Sequence, residues 1–229
     1  MRKTTCCIIV LLIGIMPLTM AYAQREAGTL TVGGFGGMGM PMGGEFFKDY
    51  YGMGIGFGGM FQYNLSEMNS LVGSFTLQSF KVDADAFTDL MAGMIPVAGA
   101  TVEMEGGNVK TTIISANFVR YLSQPDASMQ LYFTAGGGYY SFKPEDMTVK
   151  ITVPGQVIPD ETIEGEDAET GFGINGGLGF EIKMGPKLSL FAEGKYHYTF
   201  VEIEGVEALQ TEDEKISFIT AMGGIRIGL

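Results

Sequence analysis

The chain is expected to be all-β, an eight-stranded antiparallel up-and-down transmembrane β-barrel. Three observations lead there. The chain opens with a secretion signal, eight short segments alternate apolar and polar residues with a period of two, and the connections between them alternate between short and long.

The signal comes first. Arg2 and Lys3 supply a positive start, Ile8 to Met16 an apolar core, and Ala21-Tyr22-Ala23 an A-x-A cleavage site before Gln24. The apolar core is too short to span a bilayer. Residues 1–23 therefore read as a cleaved signal for export through the Sec pathway, and residues 24–229 as the barrel domain. Both cysteines, Cys6 and Cys7, fall inside the signal, which leaves the mature chain without a disulfide, a thiol nucleophile or a thiolate metal ligand. Removing Arg2 and Lys3 leaves 12 basic against 26 acidic residues, a formal charge of about −14. Such a chain repels phosphate backbones, so nucleic acid is excluded as a partner. After the signal no run of about 18 apolar residues occurs, which excludes helical membrane spans. The 35 glycines, spread without a G-X-Y repeat, argue against collagen and helical bundles alike.

The eight alternating segments cover residues 29–38, 53–64, 70–81, 109–121, 130–143, 170–183, 188–202 and 215–229. Each has about the length that a tilted strand needs to cross a hydrocarbon layer. The connections 65–69, 122–129 and 184–187 are short, whereas 39–52, 82–108, 144–169 and 203–214 are long. A soluble sandwich has no reason to keep every second loop short. A membrane barrel does: short periplasmic turns close one end and long outer loops extend from the other, and an even strand count brings both termini to the periplasmic side.

The faces separate a membrane barrel from a soluble one, which would hide its apolar side within. In the sixth segment Phe172, Ile174, Leu178, Phe180 and Ile182 oppose Gly173, Asn175, Gly177, Gly179, Glu181 and Lys183; in the seventh, Leu190, Tyr196, Tyr198 and Phe200 oppose Ser189, Glu193, Lys195, His197 and Thr199. A face that mixes glycine with Glu, Lys and His is no dry core, but it suits a polar lumen. The second segment repeats the rule, with Met53, Ile55, Phe57, Phe61 and Tyr63 on the apolar side. In the fourth neither face is cleanly apolar, and its register stays open. Tyr63, Tyr121 and Tyr139, near segment ends, suit aromatic girdles at the membrane surfaces. Acid concentrates in the long loops, for example Glu161, Glu164, Glu166, Asp167 and Glu169, which separates lipid-facing grease from solvent-facing charge.

With these features the chain resembles the small outer-membrane β-barrels of the OmpA and OmpX kind, the porin-like group of outer membrane protein β-barrel domains. The closing run Gly224-Ile225-Arg226-Ile227-Gly228-Leu229 is similar to the terminal pattern through which such proteins are recognised for assembly, with Gly224, Ile227 and Leu229 at the key positions and Leu229 where Phe is usual. The resemblance implies a place in the cell outer membrane. It implies as partners outer-membrane lipid, lipopolysaccharide and the outer-membrane assembly machinery. The external partner is not named by any motif.

Three G-x-G-x-x-G strings start at Gly34, Gly54 and Gly171. A dinucleotide site would use one, between a strand and a helix. Three copies inside alternating segments are better read as glycine lining one face, so no cofactor is expected. If the turn 184–187 pairs Lys183 with Ser189, Gly177 faces Lys195, Gly179 faces Glu193 and His197 faces Asn175. The inward set Glu181, Lys183, Glu193, Lys195, His197 and Arg226 then reads as a plug of ion pairs filling a narrow lumen. A sharper alternative is a gate in which Glu193 switches between Lys195 and Arg226. His197 is the only histidine, and a lumen position does not suit a catalytic base for lipid chemistry, so no catalytic residue is assigned. The loop carboxylates lack the D-x-[DN]-x-[DN]-G pattern, and no metal is assigned. Within the second outer loop, Phe87, Met91, Met94 and Ile95 are apolar. They would pack over the barrel mouth or contact a hydrophobic ligand. The expected role is structural or surface interaction; the alternative is a narrow porin-like channel or a carrier for small hydrophobic molecules.

Overall fold

The computed structural model describes residues 25–94, 101–153, 159–203 and 214–229, with the side chains at 45, 90–94, 202–203 and 214 excepted. The expected signal, residues 1–23, lies outside the described residues, as does Ile95; the side chains of Met91 and Met94 are likewise outside. Eight long strands form a closed barrel: β1 (Leu30–Gly43), β2 (Tyr51–Asn64), β3 (Asn69–Val82), β5 (Val109–Tyr121), β6 (Met129–Pro144), β9 (Glu169–Lys183), β10 (Leu188–Ile203) and β11 (Glu214–Gly228). Each pairs antiparallel with its neighbour, and β1 pairs with β11 to close the ring. Closure leaves no unpaired strand edge, which is the condition for placing β-structure in hydrocarbon.

The alternation of side chains decides what faces lipid. Phe57 is 64% exposed, Phe172 71% and Leu178 67%, values that no soluble core would leave to water. Inward positions carry the polar residues and glycines. The β9–β10 register pairs Lys183 with Ser189, Gly179 with Glu193, Gly177 with Lys195 and Asn175 with His197, as the turn length requires.

On β5, the ambiguous segment, Val109, Thr111, Ile113, Ser115, Asn117, Val119 and Tyr121 are buried and Ile114 and Phe118 are exposed. Both faces look mixed because the lumen itself has apolar layers, which Val109, Ile113 and Val119 help to fill. This corrects the placement of Tyr121. Its ring is fully buried in the lumen and takes no part in a membrane-surface girdle, whereas Tyr63 and Tyr139 are exposed on the barrel exterior.

The first outer connection is shorter than expected. β1 runs on to Gly43, with Met38, Met40 and Met42 outward, and the one-turn helix α1 (Glu45–Tyr50) completes the link. Pro41 is tolerated because pairing with β2 stops at Gly39, so a backbone N–H on that side has no ladder to serve. The second and third outer connections also carry structure. Helix α2 (Ala84–Met94) follows β3, and β4 (Thr101–Gly106), β7 (Met147–Thr152) and β8 (Glu161–Ile163) form a small separate sheet. The opposite end has tight turns, one of them pinned by Ser66 Oγ, which accepts from the amides of Met68 and Asn69.

Candidate functional site

The lumen is filled in layers. At the short-turn end Glu181 of β9 stands between two arginines. Its Oε1 is 3.1 Å from Arg25 Nη2 and its Oε2 is 2.5 Å from Arg226 Nη1. Tyr121 donates its hydroxyl to Glu181 Oε2 at 3.0 Å, and Arg226 donates to the hydroxyls of Tyr121 and Tyr132. The Arg25 guanidinium lies 3.3 Å over the Tyr121 ring, and that of Arg226 lies 4.2 Å from the Phe191 ring centre. Gln62, Asn64 and Ser70 extend the network, with Gln62 Nε2 donating to Asn64 Oδ1 at 2.8 Å. A buried ion pair is supported by further hydrogen bonds to its members, and this layer supplies several of them from Tyr121 and Tyr132, although Arg25 Nη1 and Arg226 Nε are buried without a partner.

The other expected charges do not join that cluster. Lys183 donates to the carbonyl of Pro125 at 2.6 Å and so ties β9 to the 122–128 turn. Glu193 and Lys195, on the same face of β10, pair with each other at 2.7 Å in the middle of the lumen, beside a cavity of about 30 Å³. Arg226, which the gate would need as a second partner of Glu193, is held by Glu181 instead. His197 is stacked on Phe218 at 4.6 Å, with Nδ1 3.0 Å from the Tyr140 hydroxyl and Nε2 3.1 Å from Thr220 Oγ1. Both ring nitrogens are occupied and the ring is buried, the environment of a structural histidine.

The outer end is closed by grease. Phe47, Phe80, Val109, Ile113, Tyr140, Phe142, Val201, Ile216 and Phe218 form one buried cluster. Phe47 enters it from α1, edge-on to Phe80 at 5.0 Å and to Phe142 at 6.2 Å. Above it, Phe87 of α2 packs edge-on against Tyr50 and Phe46 of α1, over the barrel mouth. Between these helices and the 163–169 segment lies a cavity of about 530 Å³. At the chain's end Ile227 and Leu229 face lipid, while Gly224 faces the lumen, where a Cβ would meet Gly34 O at 2.3 Å.

Two residues of these layers escape a reading by periodicity. Arg25 precedes the first strand, and only its nearness to the cleavage site marks it. Phe47 sits in a loop; the aromatic run Phe46-Phe47 among polar residues was the available signal.

A closed eight-stranded barrel, apolar towards its surroundings and polar within, defines a transmembrane β-barrel of the outer-membrane class. The model of the outer membrane protein beta-barrel domain family matches residues 8–223, and the chain belongs to that family, in the cell outer membrane. Among solved structures it is similar to the outer membrane protein OprG from Pseudomonas aeruginosa, with 12% identity and a TM-score of 0.55 over 91% of this chain and 99% of that one. It also matches the N-terminal beta-barrel domain of Pseudomonas aeruginosa OprF, at 12% identity and TM-score 0.44 over 90% of this chain and 100% of that one. A third match is Ail, the attachment invasion locus protein of Yersinia pestis, at 14% identity and TM-score 0.41 over 89% of this chain and 100% of that one. At these identities the OprG likeness establishes the fold. No curated protein matches the sequence.

Proposed function

We propose that the protein is a closed outer-membrane barrel that works through its outer face, in a structural or surface-interaction role. The observation that carries this reading is the double closure of the lumen. The Arg25–Glu181–Arg226 layer fills the short-turn end and the Phe47–Phe80–Phe142–Phe218 cluster fills the outer end. A solute entering from outside meets a floor of aromatic side chains beneath the loop carboxylates, and one entering from the short-turn end meets the buried ion-pair layer. The contacts of the molecule with anything beyond the membrane then fall to the outer helices, the small sheet and the acidic loops.

Planar-bilayer recording of the purified barrel tests this. Baseline current without discrete steps is expected; reproducible single-channel steps from the unaltered protein would refute the closed barrel. The alternative role, a carrier for small hydrophobic molecules, is favoured by one observation, the cavity beneath Phe87.

The Sec signal fits the same reading. Cleavage after Ala23 would make Arg25 the second residue of the mature chain, able to fold back into the barrel mouth. Mass spectrometry of the N-terminus of the protein from membranes should find Gln24 first. For insertion, the lipid-facing Ile227 and Leu229 would serve as contacts for the assembly machinery. Leu229→Asp should lower the amount of folded barrel in membranes, and an unchanged yield would remove Leu229 from that role.

A further inference from the structure

The cavity at the outer mouth has a volume of about 530 Å³, within the range of about 300–1,000 Å³ usual for small-molecule sites. Its floor is the upper side of the aromatic seal, with Phe47, Val109, Phe142 and Ile216. Phe87 and Tyr51 add aromatic wall. The opposite side is the segment leading from β8 into β9, which contributes Glu164, Glu166, Asp167 and Glu169, with Glu145 at its base. Among the described lining residues none is basic.

The two halves of this lining select different parts of one ligand. The aromatic floor gains by being covered with an apolar body, since water has no hydrogen-bond partners there. The carboxylate rim repels anions and attracts cations, and the aromatic faces act in the same direction. Glu145 is already held by Lys110 and Asn108, and Glu169 already has a partner. Glu164, Glu166 and Asp167 are exposed at the rim. A bare metal ion fits less well: no group of carboxylates among the described residues is arranged to ligate one, and an ion would leave the aromatic floor uncovered.

We propose that this vestibule binds small amphipathic cations, amines with an aromatic or short alkyl body. The body lies on Phe47, Phe87 and Phe142, and the ammonium group stands at the Glu164–Glu166–Asp167 rim. The inference rests on the closed-barrel reading, because a sealed floor is what makes the mouth a pocket instead of a pore entrance.

Three probes with one body and three charges test it: 4-phenylbutylamine, 4-phenylbutanol and 4-phenylbutyrate. Each is titrated into the full barrel in lipid nanodiscs, and partition into empty nanodiscs is subtracted. The amine should bind about tenfold more tightly than the alcohol, the carboxylate most weakly, and added salt should narrow the difference. The combined variant Glu164→Gln, Glu166→Gln, Asp167→Asn should bring the amine to the alcohol's affinity and leave the alcohol unchanged. Phe87→Ser should weaken both. Equal affinity of the three probes, a preference untouched by the combined variant, or no binding at all would each overturn the proposal. Conductance of the same preparation separates the two readings. If the barrel is silent and binds no amine, only the cation site fails; if it conducts, the closed barrel fails and the pocket with it.

Discussion

Glu181 balances two guanidinium groups, and its removal leaves both buried without a counter-charge. Arg226 is 2% exposed, so water cannot take over the role of the carboxylate. Glu181→Gln should therefore cost about 3 kcal/mol, the usual penalty for breaking one side of a buried ion pair, measured as urea unfolding followed by the gel shift of the folded barrel. Replacing Glu181 and Arg226 together with Met should cost less than the single change, since one guanidinium, that of Arg25, and not two is then left without a counter-charge. At the outer end Glu145 sits where β6 gives way to the loop, and the Lys110 ammonium holds its carboxyl below the usual range, with help from the Asn108 amide. Because the folded value lies below the unfolded one, the contact stabilises fully above the unfolded value and is lost as pH falls through the folded one. Protection of the Asn108 and Glu145 amides, taken relative to the intrinsic exchange rate at each pH, should thus fall on acidification below about pH 4, and the Glu145→Gln variant should show no such step.

Each barrel strand divides its residues between two solvents, and a substitution is judged by which one it enters. Phe57 of β2 points to lipid, so Phe57→Arg should destabilise the inserted barrel by about 2–4 kcal/mol. Glycine on the inward side makes room. At Gly179 a Cβ would come 2.4 Å from the Tyr132 ring and 2.8 Å from Ala192 O. Gly179→Ala should accordingly push Tyr132 away from Arg226 and lower the urea midpoint, and an unchanged midpoint would show that the ring can shift freely.

This division also explains what could be read in the chain. Strands such as β9 and β10 are legible because lipid and lumen differ sharply along them, and one short turn fixes their register. β5 is not, because its lumen side passes through apolar, polar and again apolar layers, and period two cannot tell a greasy lumen layer from lipid. Arg25 and Phe47 escape for a related reason: they reach the lumen from segments outside the strands, where no periodicity applies. Lumen charges on the strands follow from period two, and Glu193 has Lys195 beside it on one face of β10; the partner of Arg226 does not follow, since Arg226 meets Glu181 through the barrel's cross-section and not along any strand.

Among the described residues the arginines, Arg25, Arg120 and Arg226, all lie towards the short-turn end, whereas the lysines are found at both ends, with Lys48, Lys81, Lys110, Lys143 and Lys150 towards the outer loops. The two closures of the lumen lie in different layers and share none of their side chains, so disturbing one should leave the other in place. Arg25→Ala and Phe47→Ser, recorded separately, are each expected to stay at baseline current. A channel opened by either alone would mean that a single layer seals the barrel.

The seam between β1 and β11 has a bearing on how such a chain reaches its final form. Thr31 pairs with Gly228 and Leu229 donates to Leu30, so the first and last strands meet although nearly the whole chain lies between them. Every other strand pairing of the barrel joins strands that follow one another along the chain. This one needs both β1 and β11 in place. Until they meet, the sheet has two open borders, each able to recruit a foreign strand, and it is the docking of the fifteen-residue β11 against β1 that turns a sticky ribbon into a sealed cylinder.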